Sequence, residues 1–301
     1  MDPWVAFAEL VPCIAESIES TVHSRIVRHP KMANDSLQPL QSRLLAEAGF
    51  RHAFFTRVGG TSAGYYATLN LSTAVGDDEN AVLANLERAA RFLGLTEQQL
   101  FWASQVHGSN FVRLEPASSV RHARQQPADA VIADWAPAAC CVRTADCVPI
   151  LLADVRSGAV AAVHAGWRGI VAGILPRTVQ ALRASSGSGA GLLAAIGPHI
   201  RVDAFEVGDD VAQQLAHCSA DSSLGEVVRT DLGSRRHVDL TLLVRAQLQQ
   251  QGLPEESIED TGGCTFSDSI RFFSFRRDGR LSGRHLSAIC PRVHSGRQTG
   301  R

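Results

Sequence analysis

The chain has 301 residues, of which 45% are hydrophobic and 20% charged, and this composition is typical of a globular protein with ample material for a core. Its formal net charge of −1 gives no electrostatic reason to expect nucleic acid or an anionic membrane as a partner. No run approaches the roughly 18 apolar residues of a membrane span, and the seven cysteines show no disulfide framework, so we expect a cytoplasmic protein.

The spacing of apolar residues predicts a mixture of helices and strands. The clearest helix is 79–93, with Asp78 suited to its N-cap and Gly94 to its end. The predicted helices are 39–48, 79–93, 170–184, 208–218 and 239–251, with a break expected near Pro176. The predicted strands are 51–56, 100–105, 110–114, 130–132, 148–153, 159–163, 192–196, 258–260, 272–275 and 287–289, and 115–128 is expected to be an exposed loop. Because βαβ alternation is not regular, we predict a single α+β domain with mixed sheets.

The strongest local signal is a predicted β-hairpin. Its two apolar runs, 148–153 and 159–163, are short, rich in branched residues and separated by a polar turn, so both strands should be buried on both faces. Cys147 enters the first strand and His164 leaves the second. Antiparallel pairing therefore brings the two side chains together at one end of the hairpin. A thiolate and an imidazole that converge there are either metal ligands or a nucleophile and its base.

A third candidate is His107, which follows a short apolar segment. Any one of His107, Cys147 and His164, taken alone, is more often an ordinary core residue. Together they are more informative, because each lies at the polar end of an apolar strand. Histidine and cysteine are ligands that select zinc, and three protein ligands leave the fourth tetrahedral position open, as in catalytic sites. This pattern favours zinc and makes the three residues the predicted catalytic group.

Six separate blocks carry a resemblance to a known family. They are QVHG at 105–108, TADCVPILLAD at 144–154, AAVHAGWRG at 161–169, FFTRVGGTSAGYYATLNLSTAVGDD at 54–78, AIGPHIRVDAFEVGDDV at 195–211 and CTFSDSIRFFSFRRDGRLSGR at 264–284. Over roughly residues 50 to 290, the chain resembles the multicopper polyphenol oxidase (laccase) family, also described as the purine nucleoside phosphorylase or peptidoglycan editing factor family.

The resemblance implies a fold, a metal site and an activity. The fold is a layered sandwich with sheets inside and helices outside, and the family's zinc ligands fall on His107, Cys147 and His164. The implied enzyme is a zinc-dependent purine nucleoside phosphorylase acting on adenosine, inosine and S-methyl-5′-thioadenosine, with adenosine deaminase activity as well.

Other functions remain open at this point. A copper-dependent polyphenol oxidase needs many histidines, usually in HxH pairs, and the eleven histidines of this chain include no such pair, so we expect zinc rather than copper. A cysteine or zinc amidohydrolase that edits peptidoglycan precursors would use Cys147 as nucleophile and His164 as base. A non-catalytic metal-binding module should instead show a closed site with four ligands.

Phosphorolysis also requires residues that hold phosphate, ribose and base. Arginine is the natural phosphate ligand, and Arg57 opens a loop with three glycines whose backbone can approach an anion closely. The predicted substrate-binding residues are Arg57, Arg168, Arg276 and Arg277 for phosphate, Asn70 and Gln105 for sugar hydroxyls or base edges, and Phe205 for stacking on a purine.

Three regions are predicted along the chain: an N-terminal extension over 1–35, a catalytic domain over 36–291 and a disordered tail over 292–301. The chain has only two methionines, Met1 and Met32, and family-like sequence begins shortly after the second. We therefore expect translation to start at Met32, so that 1–31 would be no part of the domain. The alternative is a short helix on the surface.

Overall fold

The computed structural model describes residues 36–186, 191–218 and 227–292. The predicted extension over 1–35 and residues 293–301 of the predicted tail lie outside this part of the chain. Its strands are β1 (His52–Phe54), β2 (Leu100–Phe101), β3 (Phe111–Arg113), β4 (Ala130–Ala133), β5 (Ala139–Thr144), β6 (Val148–Asp154), β7 (Val160–Ala165), β8 (Leu192–Ile196), β9 (Glu206–Val207), β10 (Val228–Arg229), β11 (Arg236–Val238), β12 (Ile258–Asp260) and β13 (His285–Ile289). Its helices are α1 (Arg43–Glu47), α2 (Glu79–Phe92), α3 (Val120–Gln125), α4 (Trp167–Val171), α5 (Ile174–Ser186), α6 (Asp209–His217), α7 (Leu240–Gln250) and α8 (Phe275–Asp278). None of the helices described there has the length and apolar character needed to cross a membrane.

The predicted hairpin forms the middle of a six-stranded sheet. Strands β6 and β7 pair antiparallel with Pro149 opposite His164, and the strand order is β12-β8-β6-β7-β4-β3. The pairs β12/β8 and β3/β4 are parallel and the other pairs antiparallel, so the sheet is mixed, as predicted. Because Cys147 directly precedes β6, the pairing places it at the same end of the hairpin as His164.

Both faces of this sheet are buried, which explains the uninterrupted apolar runs of its central strands. Side chains alternate along β6, so that Ile150 and Leu152 pack on one face with residues of α5 and α7. Leu151 and Ala153 pack on the opposite face, toward a second sheet. A strand that is apolar at every position is stable only in such a middle layer, since exposure of either face would leave hydrocarbon in water.

The second sheet contains four strands in the order β1-β13-β5-β2. Its inner face, which includes Cys140 and Val142, contacts the six-stranded sheet. Its outer face, which includes Cys141 and Ala288, packs against α2. The layers therefore run helix, sheet, sheet, helix, and this confirms the predicted layered sandwich. Strands β10, β11 and β9 form a small third sheet in that order.

Two predicted helix boundaries are confirmed. Asp78 is the N-cap of α2, and its carboxylate accepts a backbone N–H of the first turn at 2.8 Å. Gly94 follows that helix with a φ of 66°, in the left-handed region that favours glycine. The break expected near Pro176 is found at Gly173, which lies between α4 and α5. Pro176 therefore falls in the first turn of α5, where its missing N–H has no helical partner to lose.

Two other predictions, both in the N-terminal half of the chain, were wrong in detail. The helix predicted over 39–48 begins only at Arg43, because the Ser42 hydroxyl caps it and Leu40 pairs with Phe54 in a β-bridge instead. The stretch 115–128 is not simply a loop. It contains α3, which buries Ala123 and is capped by Ser119.

The predicted strand over 272–275 was also wrong. Phe272 and Phe273 are fully buried, but neither lies in a strand, and Ser274 caps α8 instead. A short apolar run has the same sequence pattern whether it forms a buried strand or an irregular segment that covers a core, so the pattern could not distinguish the two. Strand β5, by contrast, has no counterpart among the predicted strands. It pairs with both β13 and β2.

Gly197, which follows β8, provides a test of the packing between the sheets. A Cβ at this position would lie 2.2 Å from Cδ1 of Phe54 and 2.9 Å from Cγ of Pro149. We expect Gly197→Ala to lower the free energy of unfolding by about 1–3 kcal/mol or more, because the buried ring must move. Gly233→Ala is the matched control, since the nearest atom to its Cβ would be 3.6 Å away. Urea unfolding of both variants measures the difference, and equal stabilities would contradict this packing.

Candidate functional site

His107, Cys147 and His164 form the ligand cluster of this protein. His164 lies in β7, Cys147 directly precedes β6, and His107 lies in the loop between β2 and β3. One ligand atom from each side chain lies within 4.8 Å of the other two, and the Cys147 Sγ is 3.9 Å from the His107 Nε2. Among the residues described, this is the one group of three or more His, Cys, Asp or Glu side chains that could hold a metal ion.

The buried carboxylate of Asp129 holds two members of the cluster in place. One of its oxygens accepts hydrogen bonds from His164 Nδ1 at 2.8 Å and from the His107 N–H at 3.0 Å. The other oxygen accepts from the Gly108 N–H at 2.6 Å and the Val106 N–H at 3.3 Å. Since a carboxylate only accepts, His164 carries a proton on Nδ1 and directs Nε2 toward the cluster.

The bonds to Asp129 also account for the unusual backbone of His107. Its φ of 59° is in the left-handed region, which few residues other than glycine adopt. The carboxylate accepts hydrogen bonds from three successive N–H groups of this loop and thereby fixes the left-handed conformation of His107. Burial alone would raise the pKa of Asp129, but the hydrogen bonds from His164 and the loop hold it below its ordinary value.

Cys147 and His164 favour opposite charges. Burial alone would raise the pKa of the Cys147 thiol, but the charge of His164 and the hydrogen bonds to both histidines lower it to about 6. Burial alone would lower the pKa of His164, but the Cys147 thiolate and the Asp129 carboxylate raise it to about 9. The thiolate, which is the form of cysteine that binds metals and attacks electrophiles, is therefore present at neutral pH.

Gly166, just beyond β7, leaves the space that the ligand cluster occupies. A Cβ there would lie 2.8 Å from Cδ2 of His107 and 3.2 Å from the Cys147 Sγ. Real Cβ contacts are rarely so short, so any larger residue would displace a ligand.

The ligand cluster opens into a cavity of about 550 Å³. Four arginines line it, whereas Asp146 is the one acidic residue among the described residues of its wall. Both Asp146 oxygens already accept hydrogen bonds, from the Thr265 hydroxyl and the Arg276 N–H, each at 2.6 Å. Arg124 is paired with Glu97 at 2.7 Å, but three further arginines leave the cavity wall positively charged and suited to an anion. The arginines of the wall are Arg124, Arg143, Arg276 and Arg284.

Arg143 lies among the other arginines of the cavity. Burial, followed by the charges of Arg124 and Arg284, lowers its pKa to about 10, so that it remains protonated at neutral pH. Its Nη1 donates to the Ser72 hydroxyl at 3.2 Å. The Trp102 ring contacts two of these guanidinium groups, at 3.5 Å for Arg124 and 5.1 Å for Arg143.

Three of the predicted substrate-binding residues line the cavity. Phe205 is nearly buried and has the guanidinium of Arg276 at 5.6 Å from its ring. Gln105 is also part of the wall, but both ends of its amide are engaged with the main chain of Arg143. Its Nε2 donates to the Arg143 carbonyl at 2.7 Å, and its Oε1 accepts the Arg143 N–H at 2.8 Å. Gln105 thus orients a cavity arginine.

Arg57 is not brought to the cavity wall. Its side chain is buried, and its three nitrogens donate to the carbonyls of Ala67, Ser269 and Tyr65. Its guanidinium also packs on Phe273, at 4.4 Å from the ring centroid. With its donors directed at main-chain carbonyls, Arg57 joins two loops and is not placed to hold phosphate.

Asn70, Arg168 and Arg277 do not line the cavity either. Asn70 is fully buried behind it. The guanidinium of Arg168 lies 4.3 Å from the ring of its neighbour Trp167, and that of Arg277 donates to the carbonyls of Thr265, Phe266 and Phe272.

Several residues of the site escaped the sequence analysis. Arg143 lies just before one of the family-like blocks and Arg284 ends another. Arg143 is the next-to-last residue of β5 and Arg284 directly precedes β13, and these two strands pair although they are distant in sequence. Asp129 directly precedes the predicted strand 130–132, and this position at a strand end was the available signal.

Fold and site together define the class: a layered α/β protein with an open group of one thiolate and two imidazoles beside an arginine-lined cavity. The profile of the family described as multi-copper polyphenol oxidoreductase laccase matches residues 51–292, and the chain belongs to this family. The resemblance seen in the sequence is thus confirmed.

Proteins from several bacteria are similar in sequence over most of the length of this chain. A protein named purine nucleoside phosphorylase from Bacteroides thetaiotaomicron is 34% identical over 82% of this chain and 93% of its own length. Purine nucleoside phosphorylase PA4543 from Pseudomonas aeruginosa is 37% identical over 81% of this chain and 94% of its own length. The crystal structure of YlmD from Geobacillus stearothermophilus matches with a TM-score of 0.77 at 30% identity, covering 84% of this chain and 94% of that one.

Because Asp129 accepts hydrogen bonds from His164 and from the loop of His107, removing its charge should weaken metal binding. In the Asp129→Asn variant, an amide N–H would face the donors of Val106 and Gly108, and the His107 loop would lose its anchor. We expect affinity for divalent metal to fall roughly ten- to a hundredfold while the fold persists. Competition with a chromophoric chelator measures the affinity. Asp260→Asn is the control, since that carboxylate pairs with Arg201 elsewhere; equal losses in both variants would contradict the role of Asp129.

Proposed function

We propose that the chain is a zinc-dependent purine nucleoside phosphorylase that also deaminates adenosine. The observation that carries this proposal is the position of the ligand cluster, whose three side chains face a cavity lined by four arginines. Relatives named as purine nucleoside phosphorylases support an enzyme of this class. Its substrates would be adenosine, inosine and S-methyl-5′-thioadenosine with inorganic phosphate, in the cytoplasm and without a nucleic-acid partner.

The donor set of the cluster fits zinc. One thiolate and two imidazole nitrogens are the ligands that zinc prefers, and three protein ligands leave a coordination position open toward the cavity. The lowered pKa of Cys147 supplies the thiolate at neutral pH. The bond from His164 to Asp129 fixes the ring orientation, as carboxylates commonly do for zinc-bound histidines. When bound, the ion would supply a Lewis acid to a reacting oxygen or nitrogen.

The arginines would hold phosphate against the ribose. A guanidinium offers two parallel donors to phosphate oxygens. Arg284 lies close enough to Arg143 for its charge to contribute, after burial, to the lowered pKa of Arg143. The anion they bind would stabilise the positive charge that develops on the ribose as the glycosidic bond breaks. Phe205 is placed to stack on a purine, and Arg276 lies beside it.

Deamination would use the same cluster but a different nucleophile. In phosphorolysis, phosphate would attack the ribose carbon of the glycosidic bond and the free base would leave. In deamination, water would attack the purine carbon that carries the amino group and ammonia would leave, so the arginines would have no direct part in that step. The two activities should therefore differ in their dependence on phosphate and on the cavity arginines.

A cysteine amidohydrolase acting on peptidoglycan precursors is the second candidate. The observation that favours it is the lowered pKa of Cys147, which a nucleophile needs as much as a metal ligand does. This enzyme would work without metal and would be inactivated by thiol alkylation. A multicopper oxidase fits less well, because it requires several copper sites, and the described residues offer one cluster of three ligands.

Incubation with adenosine and phosphate tests the proposed function directly. Zinc-loaded protein should produce adenine and ribose-1-phosphate with phosphate present, and inosine whether or not phosphate is present. A chelator should abolish both activities, and zinc should restore them. Phosphorolysis or deamination that survives complete metal removal would reject the zinc enzyme. Cleavage of a peptidoglycan precursor by metal-free protein, blocked by alkylation of Cys147, would favour the cysteine amidohydrolase.

The three ligands should be individually essential for metal binding. We expect Cys147→Ala, His164→Ala and His107→Ala each to abolish zinc binding and both activities, since two ligands bind zinc weakly. The fold should persist because the buried hairpin strands β6 and β7 supply its stability. Metal analysis and circular dichroism measure the two properties. Cys264→Ala, at a cysteine outside the cluster, is the control. Full metal occupancy in His107→Ala would contradict the three-ligand site.

Arg143 should separate phosphorolysis from deamination. Arg143→Lys keeps the charge but loses the planar pair of donors, so phosphorolysis should fall roughly ten- to a hundredfold, the value of one charge-assisted hydrogen bond. Deamination should fall much less. Arg57→Lys is the matched control, because Arg57 is buried away from the cavity and donates to carbonyls. Equal losses of both activities in Arg143→Lys, measured on folded protein, would remove Arg143 from phosphate binding.

A further inference from the structure

Asn70 is a fully buried amide directly behind the cavity wall. Its Nδ2 donates to the Ser72 carbonyl and to Asp77 Oδ2, each at 2.9 Å. Its Oδ1 accepts the Arg284 N–H at 2.9 Å and the Ser72 N–H at 3.2 Å. A primary amide has two donors and two acceptor sites, so every one of them is used within the protein. Asn70 therefore has no hydrogen bond left for a substrate.

The partners of Asn70 lead to two of the cavity arginines. One is Arg284 itself, whose backbone is bound on both sides, since its carbonyl accepts the Leu71 N–H at 3.0 Å. The other is Arg143, reached through Ser72: the amide of Asn70 fixes the Ser72 backbone, and the Ser72 hydroxyl accepts a hydrogen bond from the Arg143 guanidinium. Asn70 thus connects two segments that are distant in sequence and that each contribute to the cavity wall.

We propose that Asn70 is a positioning residue, which holds Arg143 and Arg284 in the arrangement that binds the phosphate of the reaction. The inference rests on the proposed phosphorolysis. Two guanidinium groups repel one another, and their side chains have many rotamers, so an anion site made from them needs fixed supports. Asn70 supplies such support from behind, while Gln105 holds the main chain of Arg143 from another side.

The charge of the surroundings explains why an amide is needed at this position. Asp77 Oδ2 accepts from both Asn70 Nδ2 and the Ser62 hydroxyl. A carboxylate in place of the amide would face this oxygen and the Ser72 carbonyl without a proton to donate, although it could still accept from Arg284 and Ser72. Asn70→Asp therefore changes the size of the side chain little but removes the two hydrogen bonds that Asn70 Nδ2 donates to the Ser72 carbonyl and to Asp77.

Direct phosphate binding by the zinc-loaded full chain is the decisive measurement. By titration calorimetry with inorganic phosphate, we expect Asn70→Asp to weaken binding roughly tenfold or more, because two arginine contacts lose their geometry. The KM for phosphate should rise in parallel, while the KM for nucleoside and the zinc content stay close to those of the wild type. In the combined Asn70→Asp and Asp77→Asn variant, an amide N–H at position 77 can donate to the new carboxylate at position 70. This variant should therefore recover much of the lost phosphate affinity.

Gln247→Glu is the matched control. Gln247 is also a buried amide, but it lies in α7 and its Nε2 donates to the Ile170 carbonyl at 3.3 Å, outside the hydrogen bonds that surround Asn70. This variant should lose thermal stability and still bind phosphate as the wild type does. Should Asn70→Asp prove unstable, the combined Asn70→Asp and Asp77→Asn variant and Ser72→Ala report on the same link to Arg143.

The outcomes separate this inference from the proposed function. Failure of the wild-type protein to bind phosphate or to carry out phosphorolysis would reject the proposed function, whatever the variants do. Wild-type binding that persists unchanged in folded Asn70→Asp would overturn the positioning role alone. Equal weakening of phosphate binding in Gln247→Glu would likewise overturn it, because a general loss of stability would then be the cause.

Discussion

The Asp129 carboxylate, buried at the start of β4, accepts four hydrogen bonds that join two separate parts of the site. Through His164 it reaches the end of the central hairpin, and through three backbone N–H groups it reaches the loop of His107. Without it, the strained loop of His107 and the imidazole of His164 would have no common partner. A buried carboxylate needs such donors, since an isolated charge inside the protein is very unfavourable.

The sheets give the ligand cluster a rigid base. Cys147 and His164 lie at adjacent strand ends of the six-stranded sheet, one of the two inner layers, where packing on both faces leaves the backbone little freedom. His107 lies on a loop and is more exposed, so its position depends on polar contacts. A site with two ligands on strands and one on a loop combines precise geometry with an open side toward the cavity.

In the cavity wall, too, some residues act on the ligand and others hold those residues in place. Arg143 and Arg284 carry positive charge, while the amides of Asn70 and Gln105 hold their backbones and the Ser72 hydroxyl accepts from the Arg143 guanidinium. Burial, followed by the charges of Arg124 and Arg284, lowers the pKa of Arg143, so both desolvation and repulsion oppose this arrangement in the absence of an anion. An anion with two or more negative charges would relieve the repulsion, and phosphate is the anion that the proposed reaction requires.

The sequence was enough to predict the central hairpin and the meeting of Cys147 with His164, because continuous apolar runs and the polar turn between them are local features. The layered α+β fold was implied by the resemblance to the family, and the sheets and helices confirm it. Which arginines line the cavity depends on packing between distant segments. The sequence analysis favoured Arg57 and passed over Arg143, yet Arg57 donates to carbonyls of two loops and Arg143 lines the cavity. A guanidinium takes whichever acceptors its surroundings present, and those come from segments far away in the chain.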